Sequence, residues 1–305
     1  MVLKNEEPDI SVIVPTYNRS NLLAHTLQSL LLQDMSQNRF EIIVADDGSS
    51  DNTIEVVRKY EAGMNVKHKF QEDKGYRPGS ARNMGIRAAK GKVCVFLDSG
   101  IIAGTNCLIN HWNFHREHGP HVAAIGYIYG LSEDEELVNK VLAEFDPENP
   151  ASLIQKMIDC ETFSDVRERH FYLHNYKIHD LPAPWSYFWS GHISASRDDL
   201  LKVGMFDESY DGKWGIEDND LGFRLHNAGV KIHLLKPATT FHYPHHTYKP
   251  DKEAKGKENC AYFHSKFQTA ETELFLKHFA TTEFIDINLI STGIAEGPAS
   301  NGKLI

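Results

Sequence analysis

The apolar run Ile42-Ile43-Val44-Ala45 followed directly by Asp46-Asp47-Gly48-Ser49-Ser50-Asp51 limits what this chain can fold into more than any other feature. It places two carboxylates and a tight turn at the carboxyl end of a buried strand, and open α/β sheets bind their ligands at that end. Two further runs repeat the arrangement. Ile10-Ser11-Val12-Ile13-Val14 ends in Pro15-Thr16-Tyr17-Asn18-Arg19, and Val93-Cys94-Val95-Phe96-Leu97 ends in Asp98-Ser99-Gly100. Three strand ends therefore present polar groups to one crevice.

Each piece alone says little, because Asp-Gly-Ser is an ordinary turn and a strand-end aspartate commonly caps the next helix. Their order carries the information. Val14-Pro15-Thr16-Tyr17-Asn18-Arg19, then Ala45-Asp46-Asp47-Gly48-Ser49-Ser50-Asp51, then Gly79-Ser80-Ala81-Arg82-Asn83-Met84-Gly85-Ile86 with Phe96-Leu97-Asp98 resemble the inverting family-2 glycosyltransferases. The resemblance spans roughly residues 10–240. It implies the α/β fold of nucleotide-diphospho-sugar transferases, GT-A: a mostly parallel central sheet flanked by helices, with a Rossmann-like nucleotide-binding half.

A chain of 305 residues can bury a large core within one α/β domain. Its 32 Lys plus Arg against 42 Asp plus Glu argue against a nucleic-acid partner, since backbone binding needs clustered basic charge. No apolar run is long enough to span a bilayer, and the first residues lack a signal-peptide core. A cytoplasmic location is expected, with peripheral attachment to the inner face of a membrane left open. Cys94, Cys107, Cys160 and Cys260 are too widely spaced for a zinc cluster and are expected to be reduced structural thiols.

Short β-branched runs alternate with helical patterns over the first hundred residues, as in βαβ units. Ser20 is expected to cap a helix with Leu22, Leu23, Leu27, Leu30 and Leu31 on one face, and Ser49 or Ser50 another carrying Ile54, Val57 and Tyr60. Residues 66–70 read as a short strand and 81–89 as a helix. Residues 1–105 are assigned to the nucleotide-sugar half, and 106–249 to the acceptor half with a helical insertion at about 131–180. A helical extension and tail occupy 250–305. In the insertion, Glu133-Asp134-Glu135-Glu136 reads as a solvated helix start. The aromatic stretch from Trp185 through Ser196 reads as one strand, and 231–235 as another. The last dozen residues are expected to be mobile.

The resemblance implies a donor site in which Pro15, Thr16 and Tyr17 line a base pocket, Asp46 or Asp47 accepts from the base or ribose, and Arg19 stands near the entrance. Plain packing is the other reading of Tyr17. Gly79 permits close backbone approach, and Arg82 offers a planar fork for phosphate oxygens or, alternatively, an internal pair with a helix carboxylate. Asp98 and Ser99 complete the donor set. The family's Asp-x-Asp is here Asp98-Ser99-Gly100, without the second carboxylate. A divalent ion, Mn²⁺ or Mg²⁺, is then expected to be held by Asp98 with His242, His245 being the second choice.

Trp214-Gly215-Ile216-Glu217-Asp218-Asn219-Asp220 opens a helix pattern and matches the family's Glu-Asp base motif. Asp218 is the expected general base, Glu217 its partner in orienting the acceptor, and Asp220 a helix-start acid. Trp185, Trp189, His192 and Trp214 are acceptor-side candidates, with core packing the other reading of Trp189. The implied reaction moves a UDP-hexose or UDP-N-acetylhexosamine sugar to a saccharide or other hydroxyl. Two alternatives stand: a UDP-sugar-binding protein without catalysis, and a transferase acting on a peptide side chain or small natural product. A dehydrogenase is disfavoured, because the first strand ends in Pro-Thr-Tyr-Asn where a Gly-x-Gly-x-x-Gly turn is needed.

Overall fold

The computed structural model describes residues 7–130, 135–159, 163–245, 252–279 and 286–291. The chain runs through β1 (Ile10–Thr16), α1 (Ser20–Leu31), β2 (Phe40–Asp46), α2 (Thr53–Glu61), β3 (Val66–Phe70), α3 (Pro78–Ala88), β4 (Val93–Leu97) and β5 (Ile101–Ala103). It continues through α4 (Cys107–His118), β6 (Val122–Tyr129), α5 (Glu135–Ala143), α6 (Ser152–Asp159), α7 (Glu168–Leu173), β7 (His192–Ser196) and α8 (Arg197–Lys202). The remaining elements are α9 (Glu217–Asn227), β8 (Lys231–His242), α10 (Lys252–Phe267), α11 (Ala270–His278) and α12 (Ile287–Ser291).

All eight strands join one sheet in the order β3-β2-β1-β4-β7-β6-β8-β5. The pairs β1/β2, β1/β4, β2/β3 and β6/β8 are parallel, whereas β7 runs against β4 and β6, and β5 against β8. The apolar runs are continuous because both sheet faces are covered. Val12, Val14, Ile42, Val44 and Val95 pack with Leu23, Leu27 and Leu30 of α1, while Ile13, Ile43, Cys94 and Phe96 pack with Ala81 and Ile86 of α3 on the opposite side. Register pairs Thr16 with Asp46 and Asp46 with Phe70, so the three parallel strands end level and their loops meet.

Helix starts differ from the sequence expectation. Ser20 is the first residue of α1, whose N-cap is Arg19, and α2 begins at Thr53 after Asn52; neither cap residue makes a side-chain cap bond. Asp51 serves both helices instead, accepting from Ser20 N at 2.9 Å and Thr53 N at 3.1 Å. Helix α3 begins earlier than expected because Pro78 suits the first helical turn. Residues 184–187 form a 3-10 turn, and the strand starts only at His192. The expected strand failed there because Pro184 and the packing of three aromatics favour a turn. The helical run expected near the end is two helices, broken where Thr269 and Thr272 form a reciprocal capping box opening α11.

Cys94, Cys107 and Cys260 are free and buried. Cys160, Glu133, Asp134 and the last dozen positions lie outside the described residues. Among the described residues, no helix is long and apolar enough to cross a membrane.

Candidate active site

Asn18, with φ of 50°, interlocks the loops after β1 and β2: its side-chain oxygen accepts from Ser50 N at 2.8 Å, and its own N–H donates to Ser49 Oγ at 2.9 Å. Gly48 permits the turn at φ of 96°, where a Cβ would come within 2.4 Å of Asp73 N. Asp46 is buried and accepts from Ser49 N at 2.8 Å, with His68 Nε2 at 2.9 Å. Burial raises its pKa, but the His68 and Ser49 bonds outweigh that and hold it below the ordinary value. Asp47 accepts from Gln71 Nε2 at 2.7 Å and Arg77 N at 2.8 Å, and burial leaves it above its ordinary value. Both carboxylates thus shape the loops. Thr16 Oγ1 at the end of β1 is buried and has no hydrogen-bond partner. Pro15 O accepts from Ser99 Oγ at 2.9 Å, and Tyr17, 43% exposed, donates its hydroxyl to Asp73 at 2.8 Å.

Arg82 ties the end of β4 to the start of α9. Its guanidinium is buried, with Nη2 2.8 Å from Asp98 Oδ1 and Nη1 3.2 Å from Glu217 Oε1. Nη1 and Nη2 thus form the internal pair that the sequence offered as one of two readings, and Nε is buried without a hydrogen-bond partner. Gly79 precedes Arg82 on α3. Its notional Cβ points at Asp211 Oδ1, 3.2 Å away, so its smallness lets the 207–212 loop close over α3.

Gly215 and Ile216 both take left-handed conformations, at φ of 85° and 77°, and swing the chain into α9 so that Glu217 and Asp218 open its first turn. Burial, then the neighbouring Asp218 charge, push Glu217 up to about 7 against the pull of Arg82. Glu217 Oε2 is buried without a hydrogen-bond partner. Asp218 accepts from Ser190 N at 3.0 Å and Asn219 N at 2.8 Å, and burial raises its pKa. Asp220 is more than a helix-start acid: fully buried, it accepts from Tyr210 Oη at 3.0 Å and Arg224 Nε at 2.6 Å, and also meets Lys266. Asn259 of α10 supports the loop from below, donating to the carbonyls of Trp214 at 3.4 Å and Gly215 at 2.9 Å.

Two matches with known families cover this region. The model for "Glycosyl transferase family 2" matches residues 11–193, and the one described as "N-terminal domain of galactosyltransferase" matches residues 169–249. The chain belongs to glycosyltransferase family 2. Validoxylamine A glucosyltransferase of Streptomyces hygroscopicus subsp. jinggangensis is 35% identical over 88% of this chain and 63% of its own length. Chondroitin synthase of Pasteurella multocida is 31% identical over 84% of this chain and 26% of its own. The chain thus spans less than two thirds of these relatives' length. In fold it resembles S. aureus TarS 1-349 crystallised with UDP, with a TM-score of 0.60 and 20% identity over 94% of this chain and 76% of that one. The architecture is that of GT-A glycosyltransferases.

In this family-2 chain, Glu217, Asp218 and His242 lie beyond the first match and inside the second. His242 ends β8, paired with Ile101, and Tyr243 N donates to Gly100 O at 2.9 Å, which seats the histidine beside the Asp98 turn. Burial and then His245 push His242 down to about 4, so its imidazole is neutral near pH 7, while Asp98 pulls the other way. The His242 and His245 rings stack at 5.0 Å, and exposed Arg19 reaches His245 Nε2 at 3.2 Å. A neutral imidazole beside a half-exposed carboxylate suits a borderline divalent ion. Ser99 does not add a ligand, because its hydroxyl turns to Pro15.

Of the acceptor-side candidates, Trp214 is 40% exposed and flanks Glu217 in the chain. Trp189 is half-buried under the Arg167 guanidinium, 4.8 Å from its ring centre. Trp185 and His192 are corrected. Trp185 is packed edge-on to Phe223, Phe263 and Phe275 at 5.2–5.5 Å between centroids and offers no face to a sugar. His192 is fully buried beside Cys107 and His111. Burial pushes the His192 imidazole down to about 3 and the Cys107 thiol up to about 12.

Tyr76 is the residue that sequence reasoning passed over. Its ring is half exposed, yet its hydroxyl end is sheltered: burial, followed by the Glu217 charge, with Asp98 and Asp218 adding to it, holds the phenol well above its ordinary value. It lies in the Gly75-Tyr76-Arg77-Pro78-Gly79 stretch that leads into α3, and an aromatic between glycines was the available signal. A separate open cleft lined by Asn83, Arg87, Asp207, Glu208, Arg224 and Lys266 offers no free cation to a diphosphate, because Arg87 pairs with Glu208, Arg224 with Asp220, and Lys266 with Asp207.

Proposed function

We propose that this chain moves a hexosyl or N-acetylhexosaminyl group from a UDP-sugar to a hydroxyl of a saccharide or similar acceptor by a single inverting displacement. The observation that carries the reading is the ionic chain Asp98–Arg82–Glu217, which links the donor strand's end to the acid pair opening α9. Similarity to validoxylamine A glucosyltransferase and chondroitin synthase supports sugar transfer, and the fold shared with TarS, crystallised with UDP-GlcNAc, is compatible with a nucleotide donor.

In this reading residues 1–105 hold the nucleotide, residues 106–249 the acceptor, and the segment from 250 buttresses the acceptor loop. Thr16, with its unpartnered hydroxyl, and Tyr17 line the base pocket, and Asp46 or Asp47 receives a donor hydroxyl or base N–H. The acceptor oxygen attacks the anomeric carbon as the bond to the leaving phosphate breaks. The electron pair leaves with UDP, and the acceptor proton passes to Asp218. Arg82 favours the ionised form of Glu217 against burial and the Asp218 charge, and Trp214 and Tyr76 offer aromatic surface to the sugars. Asp98 and His242 would hold Mn²⁺ or Mg²⁺, which when bound offsets charge building on the diphosphate.

Purified protein incubated with a panel of nucleotide sugars and Mn²⁺ tests this, with donor hydrolysis and transfer to oligosaccharides as readouts. Asp218→Asn is expected to retain UDP binding while losing at least about a hundredfold in turnover. UDP binding with no turnover of any donor would leave a binding protein. Unchanged turnover in Asp218→Asn would remove Asp218 as the base.

A further inference from the structure

Cys107 and His111 are four residues apart on α4, one helical turn, and so project from the same face. That face meets His192 at the start of β7. His111 Nε2 is 2.9 Å and Cys107 Sγ 3.5 Å from His192 Nε2, and all three residues are fully buried. Ligand atoms from the three lie within 4.8 Å of one another. His192 fits flush against Gly126, where any Cβ would fall 2.0 Å from the ring.

Proton accounting shows what the cluster lacks without a ligand. Thr240 Oγ1 donates to Tyr127 O at 3.1 Å, so it accepts from His192 Nδ1, 3.1 Å away, and the Nδ1 proton fixes the tautomer. His192 Nε2 then carries one in-plane lone pair. With His111 protonated at Nε2, that N–H and the Cys107 thiol both meet it, two donors for one acceptor. A metal ion at the point of convergence resolves the conflict by taking a lone pair from each of the three. Metal–nitrogen bonds of about 2.0 Å and metal–sulfur bonds of about 2.3 Å separate ligand atoms by about 3.3–3.6 Å. The observed sulfur–nitrogen spacing matches, and the nitrogen pair needs to open by a few tenths.

The surroundings already orient both rings for that role. His192 Nδ1 faces Thr240, and His111 Nδ1 is 2.9 Å from Ser194 Oγ, leaving the two Nε2 atoms turned toward the sulfur. Binding requires His111 to carry its proton on Nδ1 and donate to Ser194. The Ser194 hydroxyl then donates to His115 Nε2, at 2.8 Å, so no buried group loses a partner.

We propose that Cys107, His111 and His192 form a structural site for a single thiophilic closed-shell cation, Cu⁺ or Zn²⁺, separate from the donor crevice. The Cys107 thiol proton leaves as the ion enters, and no electron changes hands. Three ligands with one thiolate leave no net charge on Cu⁺ and one positive charge on Zn²⁺. Among the described residues no fourth His, Cys, Asp or Glu ligand atom joins the group. A dry core therefore favours the monovalent ion.

The test uses the full chain, refolded anaerobically with either Cu⁺ or Zn²⁺, then desalted and examined by native mass spectrometry, elemental analysis and thermal unfolding. One equivalent is expected, with a raised Tm and, for Cu⁺, a thiolate-to-metal absorption band; whichever ion is retained names the occupant. Cys107→Ser should lose the equivalent and the band. Ser194→Ala should weaken retention by about tenfold or more while the protein still folds. Asp98→Asn, which alters the donor crevice, should retain the ion. Absence of a stoichiometric ion in the wild-type chain with both metals, or an equivalent kept by Cys107→Ser, overturns the site.

Discussion

The guanidinium of Arg82 contacts Glu217 at 3.2 Å, and the same group contacts Asp98 at 2.8 Å with almost none of its own surface exposed. Replacing it by Met leaves a buried carboxylate without its counter-charge. Arg82→Met is expected to cost about 3 kcal/mol of stability at pH 8, in the range for breaking a buried pair from one side. Adding Glu217→Gln should restore part of that loss. Urea unfolding of the single and double variants measures both, and additive losses would mean the contact carries no coupling.

Activity should fall on the acid side of neutrality. Glu217 sits up at about 7, so lowering the pH through that value neutralises it and changes the field at Asp218. The acidic limb of kcat/KM belongs to the pair and should lie near pH 7 in the wild type, moving to lower pH in Glu217→Gln. Stability runs the other way. A carboxyl whose folded value is above its ordinary 4.5 contributes most below pH 4.5, and the contribution is lost as pH rises through about 7. A flat activity profile between pH 5.5 and 8 would disconnect Glu217 from the reaction.

His242→Ala should raise the Mn²⁺ concentration for half-maximal activity by at least about tenfold, with UDP affinity in chelator unchanged. His245→Ala should do less, because that ring reaches the crevice through Arg19 and its stack on His242. Identical metal titrations for wild type and His242→Ala would leave Asp98 without its expected co-ligand.

Asp51→Ala removes the acceptor shared by the first turns of α1 and α2, and should lower stability by about 2 kcal/mol, roughly one cap for each helix. The Thr53 and Ser20 bonds outweigh burial and hold the Asp51 pKa below its ordinary 3.8. Its contribution is therefore present above that value and disappears as pH falls through the lower, folded one. Thermal unfolding at pH 7 and pH 2.5 checks this: the variant and wild type should converge in acid.

The parallel half was legible because its strands carry unbroken apolar runs and its chemistry follows each run at once in the chain. Asp46 and Asp98 stand out in that way, whereas Glu217 and Asp218 follow no strand run and were visible through the resemblance of Trp214-Gly215-Ile216-Glu217-Asp218 to the family's motif. What escaped depended on contacts between distant segments. Arg82 could be read either as a phosphate ligand or as an internal partner of a carboxylate, since nothing local announces that Asp98 and Glu217 flank it. Trp185 and His192 looked like sugar-facing residues on a strand, but Pro184 turns the chain, Phe263 and Phe275 from the far end bury the indole, and Gly126 leaves room for the imidazole in the core. Asp51 went unnoticed as a cap because it serves α1, a helix that precedes it in sequence.

Asn259 holds the carbonyls of Trp214 and Gly215, so the loop leading into Glu217 and Asp218 rests on α10, the element that follows β8 in the chain. Substitutions in that helix reach the loop of the acid pair while every strand stays as it was. If the chain acts as proposed, exchanging this helix retunes which hydroxyl is chosen without rebuilding the strand-end loops.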